Sequence, residues 1–501
     1  MICHSIFNDV LGPIMAGPSS SHSAGCARIG RMTRLLWGRE IKKAVVVYDS
    51  QGSYPSTCVG QGSNFGFTGG LLGFPNDEPR MKDSISIVKE MGVDISFAEE
   101  RLSARHPNEA RIDIYGDSGE VEMSVLTLSV GGGMFQIVEM DGYPVFMDGS
   151  REQIFVRCEG DVCTVRKAEV VLPIPMKADN QAVFATATEA LEYAGGGKSL
   201  GTETDELGTA ETCGKSKSMW QLAIDYECSI GEVTPEDVWK QAEHTLHVMR
   251  NAANPPDPEK TEMFGFLPYQ CANMMGRAQG GADGSVTSGR QMAAPKLVNT
   301  GYLHKAMFYA LAVMENSCAH NIVTASPTAG SSGVVPAAVV AVGEEMGCTD
   351  EEIVKGLLAA GLAGAFIANQ ASFGAEVAGC QAENGAASAM AAAGVVELLG
   401  GTPKQGFAAA SMALQNMLGL ICDPVGGLTE IPCISRNVAA MSNAVMSANM
   451  VMLGFDSVIP YDETILAMYK VGKQLPSALR CTCEGGLCTT KTGRAIVGRL
   501  K

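Results

Sequence analysis

Apolar and polar positions change their rhythm partway along this chain. Up to about residue 175 the pattern is mixed: Ala44-Val45-Val46-Val47-Tyr48 is a β-branched run, Ala110 to Tyr115 alternates apolar and polar side chains, and Val121 to Val130 runs into Gly131-Gly132-Gly133. Alternation at period two and β-branched runs bounded by glycine predict strands. The same pattern continues over 135–140, 153–158 and 162–166, while helical spacing predicts helices over 25–37 and 84–91. From Ser216 onward the apolar positions take a helical period and the composition turns to Ala, Gly, Met and Leu. Helices are predicted at 218–227, 235–251, 303–317, 334–346, 350–368, 385–399, 405–420, 436–453 and 462–471. Thr234 before Pro235, Thr349 before Asp350, and Asp462 stand where N-caps are expected. The methionines Met441, Met446, Met450 and Met452 read as core.

The expected fold is α+β: an N-terminal mixed α/β domain over 1–175, a linker over 176–215, and a larger, mostly α-helical domain over 216–501. The linker is entered through Leu172-Pro173-Ile174-Pro175, and its one helical candidate is 181–194. No repeat of solenoid period is present.

Composition narrows the function classes. With 501 residues, 46% apolar and 18% charged, the chain is long enough for two or three sizeable cores and reads as a globular enzyme. A net charge of −17 argues against nucleic acid or an anionic membrane as partner. The first residues lack a basic, then apolar, leader, and the longest apolar stretches are too short and glycine-broken to span a bilayer. Sixteen cysteines in so long a chain suit a reducing cytoplasm better than a disulfide scaffold.

Several tempting motifs fail on their spacing. Gly131-Gly132-Gly133 lacks the dinucleotide fingerprint. Gly196-Gly197-Lys198-Ser199 lacks the upstream glycine of a phosphate loop, since position 192 is Glu. His244 and His247 share a helix with no third ligand, which excludes a zinc motif, and no lysine pairs with a phosphate loop as pyridoxal phosphate requires. Ser19 to Ala24 and Thr328 to Gly333 each precede a helix, where hydroxyls and backbone N–H groups either cap the helix or cradle an anion.

Three cysteines remain in polar settings bounded by Gly or Pro: Cys380, Cys422 and Cys433. They are too far apart for a Cys-x-x-Cys clip, so only the fold can join them. On spacing alone they read either as buried small hydrophobes or as three ligands of an iron–sulfur cluster, one short of four.

The stretches Gly379-Cys380-Gln381-Ala382-Glu383-Asn384-Gly385, Cys422-Asp423-Pro424-Val425-Gly426-Gly427, Pro432-Cys433-Ile434-Ser435-Arg436-Asn437 and Ser326-Pro327-Thr328-Ala329-Gly330-Ser331-Ser332-Gly333 resemble the iron–sulfur L-serine dehydratases. Gly17-Pro18-Ser19-Ser20-Ser21-His22 is similar to the β-type domain of the same family. The resemblance implies a [4Fe–4S] cluster on Cys380, Cys422 and Cys433 and an amino-acid substrate, L-serine by default. It implies catalytic groups at His22, Ser331 and Ser332, and substrate contacts at Ser19, Ser20, Ser21, His22, Gln61, Ser63, Asn64, Thr328 and Gly330. A homodimer is expected. Where the family shows Gly-His-Gly-Thr-Asp, this chain has Gly60-Gln61-Gly62-Ser63-Asn64, two neutral amides in place of titratable groups. That departure keeps β-elimination from another amino acid, such as L-cysteine or L-threonine, open as an alternative. A different class of alternative is a non-enzymatic cluster protein acting as redox sensor, which would want a fully ligated cluster and would not need the Ser19–His22 cradle. Some relatives end in a cysteine that caps the fourth iron. This chain lacks it, and Cys481, Cys483 and Cys488 are the candidates to replace it.

Overall fold

The computed structural model describes residues 3–159, 162–195, 217–257, 263, 265–278 and 296–500. The α+β reading holds. A six-stranded sheet occupies the first part, in the order 94–100, 43–49, 109–115, 121–131, 134–140, 143–147. Its one parallel pair is Lys43–Asp49 with Asp94–Glu100; the rest is an antiparallel meander. One face is covered by Gly25–Trp37, which lies tightly against the helix Ser63–Leu72. A Cβ on Gly70 would stand 2.2 Å from the Ala27 carbonyl oxygen, so this close crossing requires glycine. The helical part is built around Asp350–Gln370, Asn384–Leu398, Pro403–Gln415 and Cys433–Met452, whose many alanines let the backbones approach closely.

Differences from the expected elements have local causes. Asp462 lies inside the first turn of Tyr461–Gln474, and its carboxylate accepts the Ala187 and Thr188 N–H groups, so it serves the N-terminus of a different helix, Ala187–Ala194. Helix 334–346 is expected as one piece, but the chain makes a wide π-type turn at Pro336–Ala341 before the short helix Val342–Met346, with Pro336 at the entry. Met441 is buried, whereas Met446 and Met450 are 51% and 37% exposed, because the helix that carries them turns that face outward. Cys158 and Cys163 face one another across the hairpin Gln153–Glu159/Val162–Ala168 and are joined by a disulfide. The Gly196–Ser199 motif lies outside the described residues. Among the described residues no helix is long and apolar enough to cross a membrane.

The amino-terminal segment packs with the far end of the chain. Ile6, Phe7, Val10 and Leu11 belong to the helical core, and Ile14–Ala16 pairs antiparallel with Ile322–Thr324. Glu227, fully buried on Met219–Ile230, anchors this segment by accepting the Ile6 N–H at 2.8 Å and the Ser5 hydroxyl. Burial raises its carboxyl from 4.5 to about 7. Between those values the folded chain holds a proton that the unfolded chain releases, so stability falls as pH rises through this window. Glu227→Gln is expected to remove roughly 2 to 3 kcal/mol of the stability lost between pH 5 and 8. Denaturant titrations of parent and variant at both pH values check this; an unchanged pH slope would place the dependence elsewhere.

Candidate active site between the two halves

The helical half brings its three cysteines together from three directions. Cys380 sits on a tight turn between the helices Ala375–Ala378 and Asn384–Leu398. Gly379 before it has φ +76°, and a Cβ there would lie 2.9 Å from the Leu420 carbonyl oxygen. Glycine therefore lets this turn press on the segment leading to the next cysteine. Cys422 is extended beside the tail: its N–H donates to the Leu479 carbonyl and the Cys481 N–H donates to the Cys422 carbonyl, both at 2.9 Å. Cys433 opens the helix Cys433–Met452. All three are buried.

Their electrostatics state what they need. Burial and then the nearby Glu383 push the Cys380 thiol up to about 11. Burial and then Cys380 raise Cys433 well above the usual thiol range, and a hydrogen bond with Cys481, followed by burial, does the same for Cys422. As thiolates they require compensating positive charge. Part is in place: the Asn384 Nδ2 donates to Cys380 Sγ at 3.0 Å, Cys433 stands at a helix N-terminus, and Arg436 favours the anionic form of both Cys380 and Cys433. Arg436 is held by the Ile421 carbonyl at 3.0 Å and by Asp423 at 2.9 Å. Among the described residues no three His, Cys, Asp or Glu side chains gather tightly enough to chelate one ion. Three thiols carried on three separate segments are a donor set that a cluster, which meets its thiolates at separate irons, would take.

Cys481 joins the same buried group as Cys380 and Cys422. Cys483 and Cys488 instead hydrogen-bond to each other and face the Pro424 carbonyl at 3.5 and 3.1 Å. From the α/β half, the Gln61 Nε2 donates to Cys481 Sγ at 3.4 Å, and the Gln61 carbonyl accepts the Ser23 hydroxyl at 2.8 Å. Gln61 thus ties the Ser19–Ser23 loop to the cysteines.

In that loop Ser19 caps a wide turn by accepting the His22 N–H at 3.2 Å, and Ser20 to His22 are buried. The His22 Nδ1 lies 2.9 Å from Ser21 Oγ and 3.5 Å from Ser19 Oγ; its Nε2 lies 3.2 Å from Ser53 Oγ. Burial, and secondarily His106, lowers His22 to about 3, so the imidazole is neutral. Ser63 and Asn64 are set apart from this group: Ser63 Oγ meets the Tyr48 hydroxyl at 3.2 Å, and Asn64 Oδ1 accepts the Phe65 N–H.

The 326–333 loop meets Glu383 through Thr328 and Gly330. Glu383 hydrogen-bonds to Thr328 and lies 3.3 Å from where a Gly330 Cβ would stand, with its carboxyl raised by burial to about 7. Ser331 Oγ is bonded within the loop to Thr328 and to the Ser326 carbonyl, and Ser332 Oγ turns to Met314 Sδ. Both hydroxyls are fully buried in packing. Asn437 pins the loop, donating to the Gly330 carbonyl at 2.8 Å and accepting the Gly333 N–H at 2.9 Å. Glu383, Asn384, Arg436 and Asn437 stand inside the motifs noted in the sequence, where they read only as flanks of the cysteines.

Residues 214–488 match the family model described as the serine dehydratase alpha chain. A probable L-serine dehydratase alpha chain of Bacillus subtilis is 41% identical over 275 residues, covering 55% of this chain and 87% of that protein. The L-serine dehydratase alpha chain of Peptoniphilus asaccharolyticus is 36% identical over 285 residues, covering 56% and 91%. A probable L-serine dehydratase beta chain of Bacillus subtilis is 41% identical over 152 residues, 30% of this chain and 67% of that one. The chain therefore belongs to the serine dehydratase alpha-chain family and carries both the alpha-chain and the beta-chain types in a single polypeptide.

Proposed function

We propose that this protein dehydrates and deaminates L-serine to pyruvate and ammonia, with a [4Fe–4S] cluster held by Cys380, Cys422 and Cys433. The observation that carries the reading is a link between the two halves: Cys481, packed with the buried Cys380 and Cys422, accepts the Gln61 amide, and the Gln61 carbonyl accepts the hydroxyl of Ser23, which follows the Ser19–His22 stretch. When bound, such a cluster supplies an iron without a permanent protein ligand, a Lewis-acid position for the departing β-hydroxyl.

The chain's own groups do the rest. Serine's α-proton is weakly acidic and needs a positioned base. His22 is neutral and offers a ring nitrogen to the Ser19/Ser21 side of its loop. The hydroxyls of Ser19, Ser21 and Thr328 and the N–H donors around Gly330 suit an amino-acid carboxylate and ammonium. Glu383, buried and holding a proton near neutrality, is placed between Thr328 and the cysteines to move a proton at the β-oxygen. The enamine released becomes pyruvate and ammonia in water. A reducing cytoplasm fits these needs, and the exposed apolar side chains Met446, Leu453, Phe455 and Val458 give the expected homodimer a surface.

One observation favours a second reading. Cys481 stands within hydrogen-bonding reach of Cys422, so a fourth thiol is at hand for the fully ligated cluster of a redox protein. Anaerobically purified parent and Cys481→Ser proteins, assayed for keto acid with serine, threonine and cysteine, separate the readings. Serine dehydration predicts pyruvate from serine in both proteins, with faster cluster loss in air for the variant. Turnover of cysteine in preference to serine would move the substrate; a stable cluster with no turnover of any of the three would establish the redox reading.

A further inference from the structure

We propose that Glu376, Asn108 and Ser53 form a positioning chain that fixes the tautomer of His22, leaving its Nδ1 as the free base. The proposal deepens the serine-dehydratase reading and rests on it only for the role of His22 as base.

Each hydrogen along this buried chain has one place to go. Asn108 is fully buried, and its side-chain nitrogen lies 2.9 Å from Glu376 Oε1 and 3.3 Å from the Ser129 carbonyl oxygen. Both neighbours are acceptors, so the NH2 group of Asn108 is committed to them and its Oδ1 faces the other way. There Oδ1 meets the Ser53 hydroxyl, which has one hydrogen and donates it to the amide oxygen. Ser53 Oγ can then only accept from the His22 Nε2, 3.2 Å away, so Nε2 carries the ring hydrogen. A neutral imidazole has a single N–H, which leaves the Nδ1 lone pair open toward Ser21 Oγ at 2.9 Å and Ser19 Oγ at 3.5 Å. Both serines have a hydrogen to give it. Every member of the chain is at least nine-tenths buried, so bulk water does not supply a competing partner.

The far end of the chain has a second use. A buried imidazole is a weak base because its cation is poorly solvated. When Nδ1 takes a proton, the positive ring hydrogen-bonds through Ser53 and Asn108 to a carboxylate, the same logic by which a buried acid supports an imidazolium in hydrolytic triads. Glu376 lines a cavity of about 420 Å³ together with His4, His106, Lys473 and Arg480, and has Glu383 as its acidic neighbour on the inner side. Burial raises the Glu376 carboxyl to about 7, so the carboxylate form that the chain uses prevails above that pH. Glu376 lies on Ala375–Ala378, the turn immediately before Cys380, so one short segment of the helical half carries both a cluster cysteine and the carboxylate that orients a base in the α/β half.

The test reads the ring directly. Anaerobic holoenzyme labelled with 15N-histidine is examined by NMR at pH 8, with the His22 signals identified by their absence in His22→Gln. The parent is expected to show a protonated Nε2 and a bare Nδ1. In Asn108→Leu, Ser53 loses its acceptor and is free to donate to Nε2, so the proton is expected on Nδ1. Ser53→Ala, a smaller change in the same chain, is expected to give a mixture and serves if Asn108→Leu does not fold. Glu376→Gln keeps an acceptor for Asn108 and should retain the parent tautomer while kcat for serine falls about 10- to 100-fold with KM little changed. A proton on Nδ1 in the parent, an unaltered tautomer in both Asn108→Leu and Ser53→Ala, or an unaltered kcat in Glu376→Gln overturns the proposal. Absence of serine turnover in the parent defeats the functional reading instead and leaves the NMR result to stand by itself.

Discussion

Cys433→Ala is expected to leave a folded protein with no iron–sulfur absorption and no measurable serine turnover. The reason lies in where Cys433 sits. It begins a long helix whose N-terminus favours a thiolate, and it faces Cys380 across a space that also receives Arg436. Among the described residues no other cysteine takes its direction of approach: Cys481 lies on the Cys422 side, and Cys318, the other cysteine packed near Cys433, donates to the Thr429 carbonyl at 3.4 Å. A cluster bound at two points has lost a ligand that nothing replaces. Iron and sulfide content per chain, with circular dichroism as the control for folding, measures the outcome. Full iron content and turnover in Cys433→Ala would falsify the cluster assignment.

His22→Gln should lower kcat for serine by roughly 100- to 10,000-fold, the range for removal of a general base, with cluster content unchanged. Glutamine keeps a polar group between Ser21 and Ser53 but cannot accept and hold a proton near neutrality. The imidazole is already neutral throughout the physiological range, held at about 3 by burial. The acid limb of the kcat/KM profile in the parent should therefore not report an ordinary histidine near 6.5. Groups raised to about 7, Glu376 and Glu383, are the ones placed to shape the profile instead. Loss of cluster in His22→Gln would make the residue structural, and a loss in kcat smaller than tenfold would remove it as the base.

What the sequence revealed and what it hid follow from the range of the interactions. Periodicity located Gly25–Trp37 at both ends, because Gly38 after it adopts φ +73° and stops the helix locally. The caps at Thr234 and Thr349 were equally legible, since Asp237 and Glu352 complete each capping box three residues on. Ser63–Leu72 was missed, as its glycines and uniformly apolar character give no stripe; it is read only through its packing on Gly25–Trp37. The three cysteines could be listed but not joined, and Gln61 was legible only as a departure from a pattern. Its amide on Cys481 is a contact across most of the chain's length. Ser53, Asn108 and Glu376 carried no local signal, because each is ordinary where it stands and acquires meaning from its neighbours in space.

The amino-terminal arm bears on how such a polypeptide is assembled. Residues 6–16 reach past the whole α/β half to seat in the helical core and to pair with Ile322–Thr324. The two halves are thus clasped by an element that precedes the first of them, independently of the connection between 195 and 217. Covalent continuity is then not what holds the halves in place; it sets their ratio at one to one. A protein of this kind divided at that connection keeps its clasp on the beta-type piece, which has to find an alpha-type piece to bury its apolar arm. Subunit recognition and completion of the active site become the same event.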